Sequence, residues 1–221
     1  MAYDLSDLRT RVRAKIKDTA YSATNIDGFI NDAQVEIADL YPWSYFEKVI
    51  AGALTIGDYT YEQQTDHQTT IRLILIDPSD TTSFRNITKN YMTQDEFFRT
   101  FPSPDTNDNA WPFFWTEYGN QLYFHCPADL EYTLRQYYMK TPTELSGDEA
   151  VPELPQNFRE ALVLGAAYRV EEERDNYDIA AVLQEKFNDR VSDLINRFAN
   201  TTMAATDDVV LPYRQDYGDG W

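Results

Sequence analysis

His125 and Cys126 set an imidazole beside a thiol, the two groups from which a cysteine nucleophile and its general base are made. Nothing around them completes such a site. The run "QLYFHC" reads as a β-strand, in which successive side chains point to opposite faces, so the two groups are expected to diverge. His67 is the only other histidine and lies far away in sequence, so a histidine triad or zinc site lacks material. Structural roles are expected for both histidines. A lone cysteine also excludes an internal disulfide and a thiolate metal cluster.

Carboxylates offer two further openings. In "DTNDNA", Asp105, Asn107 and Asn109 match the first three positions of a calcium loop, but Ala110 stands where glycine is required and Thr116 where glutamate is required. A solvated loop is the better reading. Asp207 with Asp208, or Glu171 to Glu173, could supply an acid and a base, yet runs of charge on a helix or tail are ordinarily just hydrated. The chain has no GxxxxGK, GxGxxG or GxSxG motif, and its 8 glycines leave little for phosphate-cradling loops. No catalytic, cofactor-binding or metal-binding residue is assigned, and no cofactor is expected.

Charge is more informative. The formal net charge is −18, which repels phosphate backbones and argues against a broad nucleic-acid face. Within this acidic chain, "LRTRVRAKIKD" gathers Arg9, Arg11, Arg13, Lys15 and Lys17 at every second position. Such a patch either stays hydrated or docks on acidic protein surface.

The elements that carry these groups follow from periodicity. Leu5, Leu8, Val12 and Ile16 recur at helical steps behind a Ser6 cap, which predicts a helix from Asp7 to Asp18. As a strand, one face would hold little besides Lys and Arg. On the helix, Arg9, Arg13 and Lys17 flank the apolar stripe on one side, and Arg11 and Lys15 on another. Ile26, Ile30, Ala33, Ile37 and Leu40 predict a second helix from Asn25, ended at Pro42. A third opens at Pro155 and turns Phe158, Leu162, Gly165, Ala166 and Tyr168 to a core. The fourth carries Ile179, Leu183, Phe187, Val191, Leu194, Ile195 and Phe198, and ends near Asn200.

Between these helix pairs the period falls to two. Strands are expected near Phe46–Ile56, Ile71–Ile76, Phe84–Thr88, Phe113–Tyr118, Gln121–Cys126 and Leu130–Met139. Gly119 and Asn120 suit a tight hairpin, and Thr93 with Glu96 forms a capping-box pattern before a short helix. The aromatic crowding in "WPFFWTEY", "QLYFHC" and "LRQYYMK" fits either a sheet core or a contact surface. The reading is therefore α+β: a helical bundle of two helix pairs (1–45 and 150–200), an inserted antiparallel β domain with one short helix (46–149), and an extended C-terminal arm (201–221). The arm carries Val209, Val210, Leu211, Tyr213, Tyr217 and Trp221, which must pack on something, either their own domain or a partner. The longest apolar runs, "VIAGALTI" and "ALVLGAAY", fall short of the roughly 20 residues a membrane span needs. The N-terminus lacks the pattern of a signal peptide, so no export is expected.

Together, "NIDGFINDAQVEIADLYPWSYFEK", "QLYFHCPADLEYTLRQYYMKTPTELSGDEAVPELPQNFREALVLGAAYRVEEERD" and the fourth helix resemble the head-to-tail adaptor proteins of tailed bacteriophages, over roughly residues 5 to 198. The resemblance implies a non-catalytic protein of the virion neck, assembled in the host cytoplasm. It implies a homo-oligomeric ring, a dodecamer, joining the portal protein to a tail or nozzle protein. DNA would pass through its channel without specific binding, and a negative lumen would keep it from sticking. The interface candidates are then the five cations Arg9 to Lys17 and the six apolar residues of the arm. The alternatives are another neck or tail structural protein and, as an enzyme, a carboxylate-dependent hydrolase.

Overall fold

A computed structural model describes residues 3–79 and 84–204, the last five by backbone alone. The chain divides into two compact units, one formed by residues up to Tyr45 and from Pro142 onward, the other by Phe46–Thr141. It is α+β, with five α-helices and antiparallel sheets among the described residues.

In the first unit, α1 (Leu5–Ile16) buries the predicted stripe of Leu5, Leu8, Val12 and Ile16. Its cap is Asp4 rather than Ser6: the Asp4 carboxylate accepts from the Asp7 N–H at 2.8 Å. Lys17 ends the helix in the left-handed region, its N–H donating back to the Arg13 carbonyl. The second helix, α2 (Ala23–Leu40), is capped by Ser22 and buries Ile26, Ile30, Ala33 and Ile37, whereas Leu40 is 51% exposed. Past Leu40 the chain turns at Pro42, and the Trp43 indole N–H donates to the Ile37 carbonyl at 2.7 Å, satisfying an acceptor the helix end leaves open. Trp43 is fully buried and packs edge-on against Phe158.

The later helices of this unit are α4 (Arg159–Glu173) and α5 (Tyr177–Ala204). Residues 161–168 of α4 are all buried, because α1, α2 and α5 each pack on it. A helix apolar all round belongs in a core. Gly165 is where the packing is tightest: a Cβ there would lie 2.7 Å from the Ala33 Cβ on α2 and 3.1 Å from the Phe187 ring on α5. Along α5, Leu183, Phe187, Val191 and Leu194 are buried as predicted, but Ile179 is exposed, and Ala180 is the buried residue of that turn.

The second unit holds β1 (Glu47–Leu54), β2 (Thr60–Glu62), β3 (His67–Ile76), β4 (Phe84–Asn86), α3 (Gln94–Thr100), β5 (Trp115–Tyr118), β6 (Gln121–Phe124) and β7 (Tyr132–Lys140). They form a four-stranded sheet, β1-β7-β3-β4, and a three-stranded sheet, β2-β6-β5. Gly119 and Asn120 both have positive φ, 58° and 63°, and the flanking Tyr118 pairs with Gln121, the geometry of a two-residue hairpin. One core draws Leu54, Leu73, Leu75 and Leu134 from the first sheet and Trp115, Leu122 and Phe124 from the second. One expectation fails: Thr93 precedes α3 without a side-chain cap bond. Strand β2, too short to show a period, is an element that none of the expected strands covers.

Candidate docking surface

Among the described residues, both histidines and Cys126 have partners within the fold. Strand β6 ends at Phe124, so His125 and Cys126 are not forced to opposite faces; the Cys126 sulfur lies 3.8 Å from the His125 Nδ1. The contact is not an activated pair. Burial pushes the thiol up to about 11, and burial likewise lowers the His125 pKa, so both are neutral at pH 7. The His125 Nδ1 instead faces the backbone N–H groups of Phe113 and Phe114, both at 3.3 Å. His67 is buried between Gln63 at 3.2 Å and Thr70 at 3.0 Å, with Glu117 at 3.7 Å; desolvation lowers its pKa against the opposing pull of Glu117 and Asp66.

Two of the carboxylates are also engaged. Glu171, expected to be hydrated, is buried and accepts from the Asn176 side chain at 2.7 Å, with Arg174 at 3.5 Å. Glu173 accepts from Tyr21 and Asn25 across the unit. Asp105 and Asn109 stay exposed on their loop, while Asn107 donates to the His125 carbonyl at 2.6 Å. Among the described residues no group of three or more His, Cys, Asp or Glu is placed to hold a metal. Asp207 and Asp208 lie outside the described residues.

The cations of the basic helix divide by their partners. Arg9 pairs with Asp27 and Asp148, and Arg13 donates twice to the Tyr21 carbonyl, at 3.2 and 2.9 Å, so these two arginines tie α1 to its own unit. Arg11 and Lys15 project on another side, with Arg11 bonded to Asp7 at 2.9 Å. Lys17 is exposed beyond the helix end. Val209, Val210, Leu211, Tyr213, Tyr217 and Trp221 lie outside the described residues.

Arg11 and Lys15 border a groove of about 550 Å³, with Ala14 on α1, Val163 on α4 and Arg190 on α5 among its other walls. Arg159 and Glu160 from the start of α4, with Gln156 and Asn157 just before it, complete it. Four cations therefore face one lining carboxylate, with Asp7 bridging Arg11 and Arg159 behind them. Arg159 and Arg190 carried no signal in the sequence, since each is an ordinary cation on its own helix and only folding brings them beside α1.

One outward face of α5 and one of α2 are acidic. On α5, Asp178, Glu185, Asp189 and Asp193 are exposed at helical spacing, on the side away from Leu183, Phe187, Val191 and Leu194. On α2, Asp32 and Asp39 flank Val35 and Leu40, which are 39% and 51% exposed. No described helix is long and apolar enough to cross a membrane. Residues 3–211 match the protein family described as SU10 adaptor protein, a match that runs through both compact units. No curated protein matches the chain.

Proposed function

Because the chain belongs to the SU10 adaptor protein family, a family of phage head-to-tail adaptors, we propose that it is a structural protein of the virion neck, forming a ring between the portal and the tail or nozzle. The family match over residues 3–211 is the observation that carries this reading. The protein acts by contact and not by catalysis. In this reading the four long helices are the bundle that builds the ring body, the unit Phe46–Thr141 is an inserted β domain, and residues beyond Ala204 form an arm that docks on a partner.

The charge distribution supports a DNA conduit. A formal net charge of −18, with a row of carboxylates along α5, suits a wall past which DNA must slide, since like charge raises the cost of adhesion. The dodecameric count comes from the resemblance alone.

Electron microscopy of assembled particles, and of purified chain mixed with portal, tests the reading. A ring of this chain under the portal is expected. A chain that stays monomeric with portal present overturns it. Deleting residues 205–221 is expected to weaken assembly on the portal while moving protomer melting by no more than the few degrees that about 1 kcal/mol represents. Loss of folding in the truncated chain would assign the arm to its own core instead.

A further inference from the structure

The groove bordered by Arg11 and Lys15 exists because α1 and α5 each pack on α4 but scarcely on each other. Between them a strip of α4 is left as a floor, with the exposed Ala14 and the 5%-exposed edge of Val163 as its apolar part and Arg11, Lys15, Arg159 and Arg190 as its cationic rim. A gap of this kind, flanked by helices, accepts another helix that brings apolar side chains and negative charge.

We propose that this groove receives the outward face of α2 from a second copy of the chain. The inference rests on the ring reading and names its subunit contact. Among the described residues, α2 offers Asp32, Val35, Asp39 and Leu40 at spacings of three, four and one, which places them on one face with two carboxylates beside two exposed apolar side chains. That face complements the groove in both respects. The carboxylates of one copy meet the cations of the next, and Val35 and Leu40 meet Ala14 and Val163.

The two surfaces are distinct parts of one unit. The buried stripe of Ile26, Ile30, Ala33 and Ile37 leaves Asp32 and Val35 on the outward face of α2, and none of the residues that line the groove comes from α2. Two different surfaces make a heterologous contact, the kind that closes into rings.

The test is sedimentation velocity of the full chain, carrying Lys15→Glu, Asp32→Lys or both, alone and with portal. Both positions are exposed, and circular dichroism checks that each variant is folded. Each single reversal is expected to weaken self-association about tenfold or more, and the double variant to recover to within about threefold of the original chain. Asp189→Lys, on the α5 row, is expected to leave it unchanged. Association of the original chain that neither single reversal alters overturns the α2 contact and leaves the ring standing. The same holds if a labelled DNA duplex binds the original chain, Lys15→Glu abolishes that binding, and self-association is unmoved. If the original chain stays monomeric at every concentration and with portal, the ring reading falls, and the contact with it.

Discussion

Arg9 grips Asp27 through two parallel hydrogen bonds, Nε to Oδ1 at 2.9 Å and Nη2 to Oδ2 at 2.8 Å, and so staples α1 to α2. Its third arm, Nη1, reaches Asp148 at 2.9 Å and ties in the segment that returns from the β unit's end of the chain. The side chain is only 15% exposed. Two-pronged guanidinium–carboxylate pairs of this kind are both stronger and more directional than a lysine contact.

Arg9→Lys is therefore expected to cost about 1–2 kcal/mol, and Arg9→Glu about 3 kcal/mol or more, because the reversal buries a repulsion against Asp27. Urea unfolding measures both. An Arg9→Glu variant as stable as the original chain would show that the staple contributes nothing. Reversal at Arg9 is thus a test of folding, and Lys15 is the cleaner test of assembly.

Gly165 sits where α2 and α5 both press on α4. A methyl group there meets the Ala33 Cβ at 2.7 Å, so Gly165→Ala forces helices apart even though alanine is the better helix former by about 1 kcal/mol. Crowding of this kind costs about 1–3 kcal/mol, and the larger Gly165→Val is expected to exceed it. A fall in Tm of several degrees for alanine, and a larger one for valine, is the expected result of thermal unfolding. An unchanged or raised Tm for alanine would mean that α2 and α5 yield easily.

Both histidines have pKa values lowered by burial from the ordinary 6.5. Between the lowered folded value and 6.5, the unfolded chain binds more protons than the folded one, so stability rises with pH across that window. Stability is fully present above about pH 7 and drains away as pH falls through 6.5 toward the folded values. Urea midpoints measured from pH 7.5 downward are expected to drop. The drop should shrink in His67→Asn and in His125→Asn, and an equally steep profile in the double variant would assign it to other groups.

The β5–β6 turn places Gly119 at φ 58°, where a Cβ is strained, and Asn120 at φ 63°, which asparagine tolerates. Gly119→Ala is expected to cost about 1 kcal/mol, and Asn120→Gly to be close to neutral. Guanidinium unfolding followed by tryptophan fluorescence reports on it directly, since Trp115 opens β5. Equal losses at both positions would contradict a two-residue turn with both φ positive.

Much of this architecture is visible in residue spacing. Leu5, Leu8, Val12 and Ile16 on α1, and Leu183, Phe187, Val191 and Leu194 on α5, are buried as their period requires. The period misleads near helix ends. Leu40 and Ile179 continue their stripes yet are exposed, although Ala38 and Ala180 on the same turns are buried. Local motifs mislead in the same way. Thr93 and Glu96 have the spacing of a capping box without its bond, and Glu171, in what reads as a hydrated acidic run, is buried against Asn176.

What the amino-acid order determined by itself is the type of each long element, the face it buries, the Gly119–Asn120 turn, and the exclusion of an internal disulfide by the single Cys126. These follow from short-range rules: helical and strand periods, and the residue types that a turn or a motif demands. The five cations of "LRTRVRAKIKD" show where those rules stop. Spacing divides them into two sides of α1, but whether a side is spent within the fold depends on groups far along the chain. Tertiary structure decided that Arg9 and Arg13 close on Asp27, Asp148 and Tyr21, and that Arg11 and Lys15 meet Arg159 and Arg190 at an open groove. A helix period states which side of a cylinder is apolar, and only packing against α4 determines what stands opposite the rest.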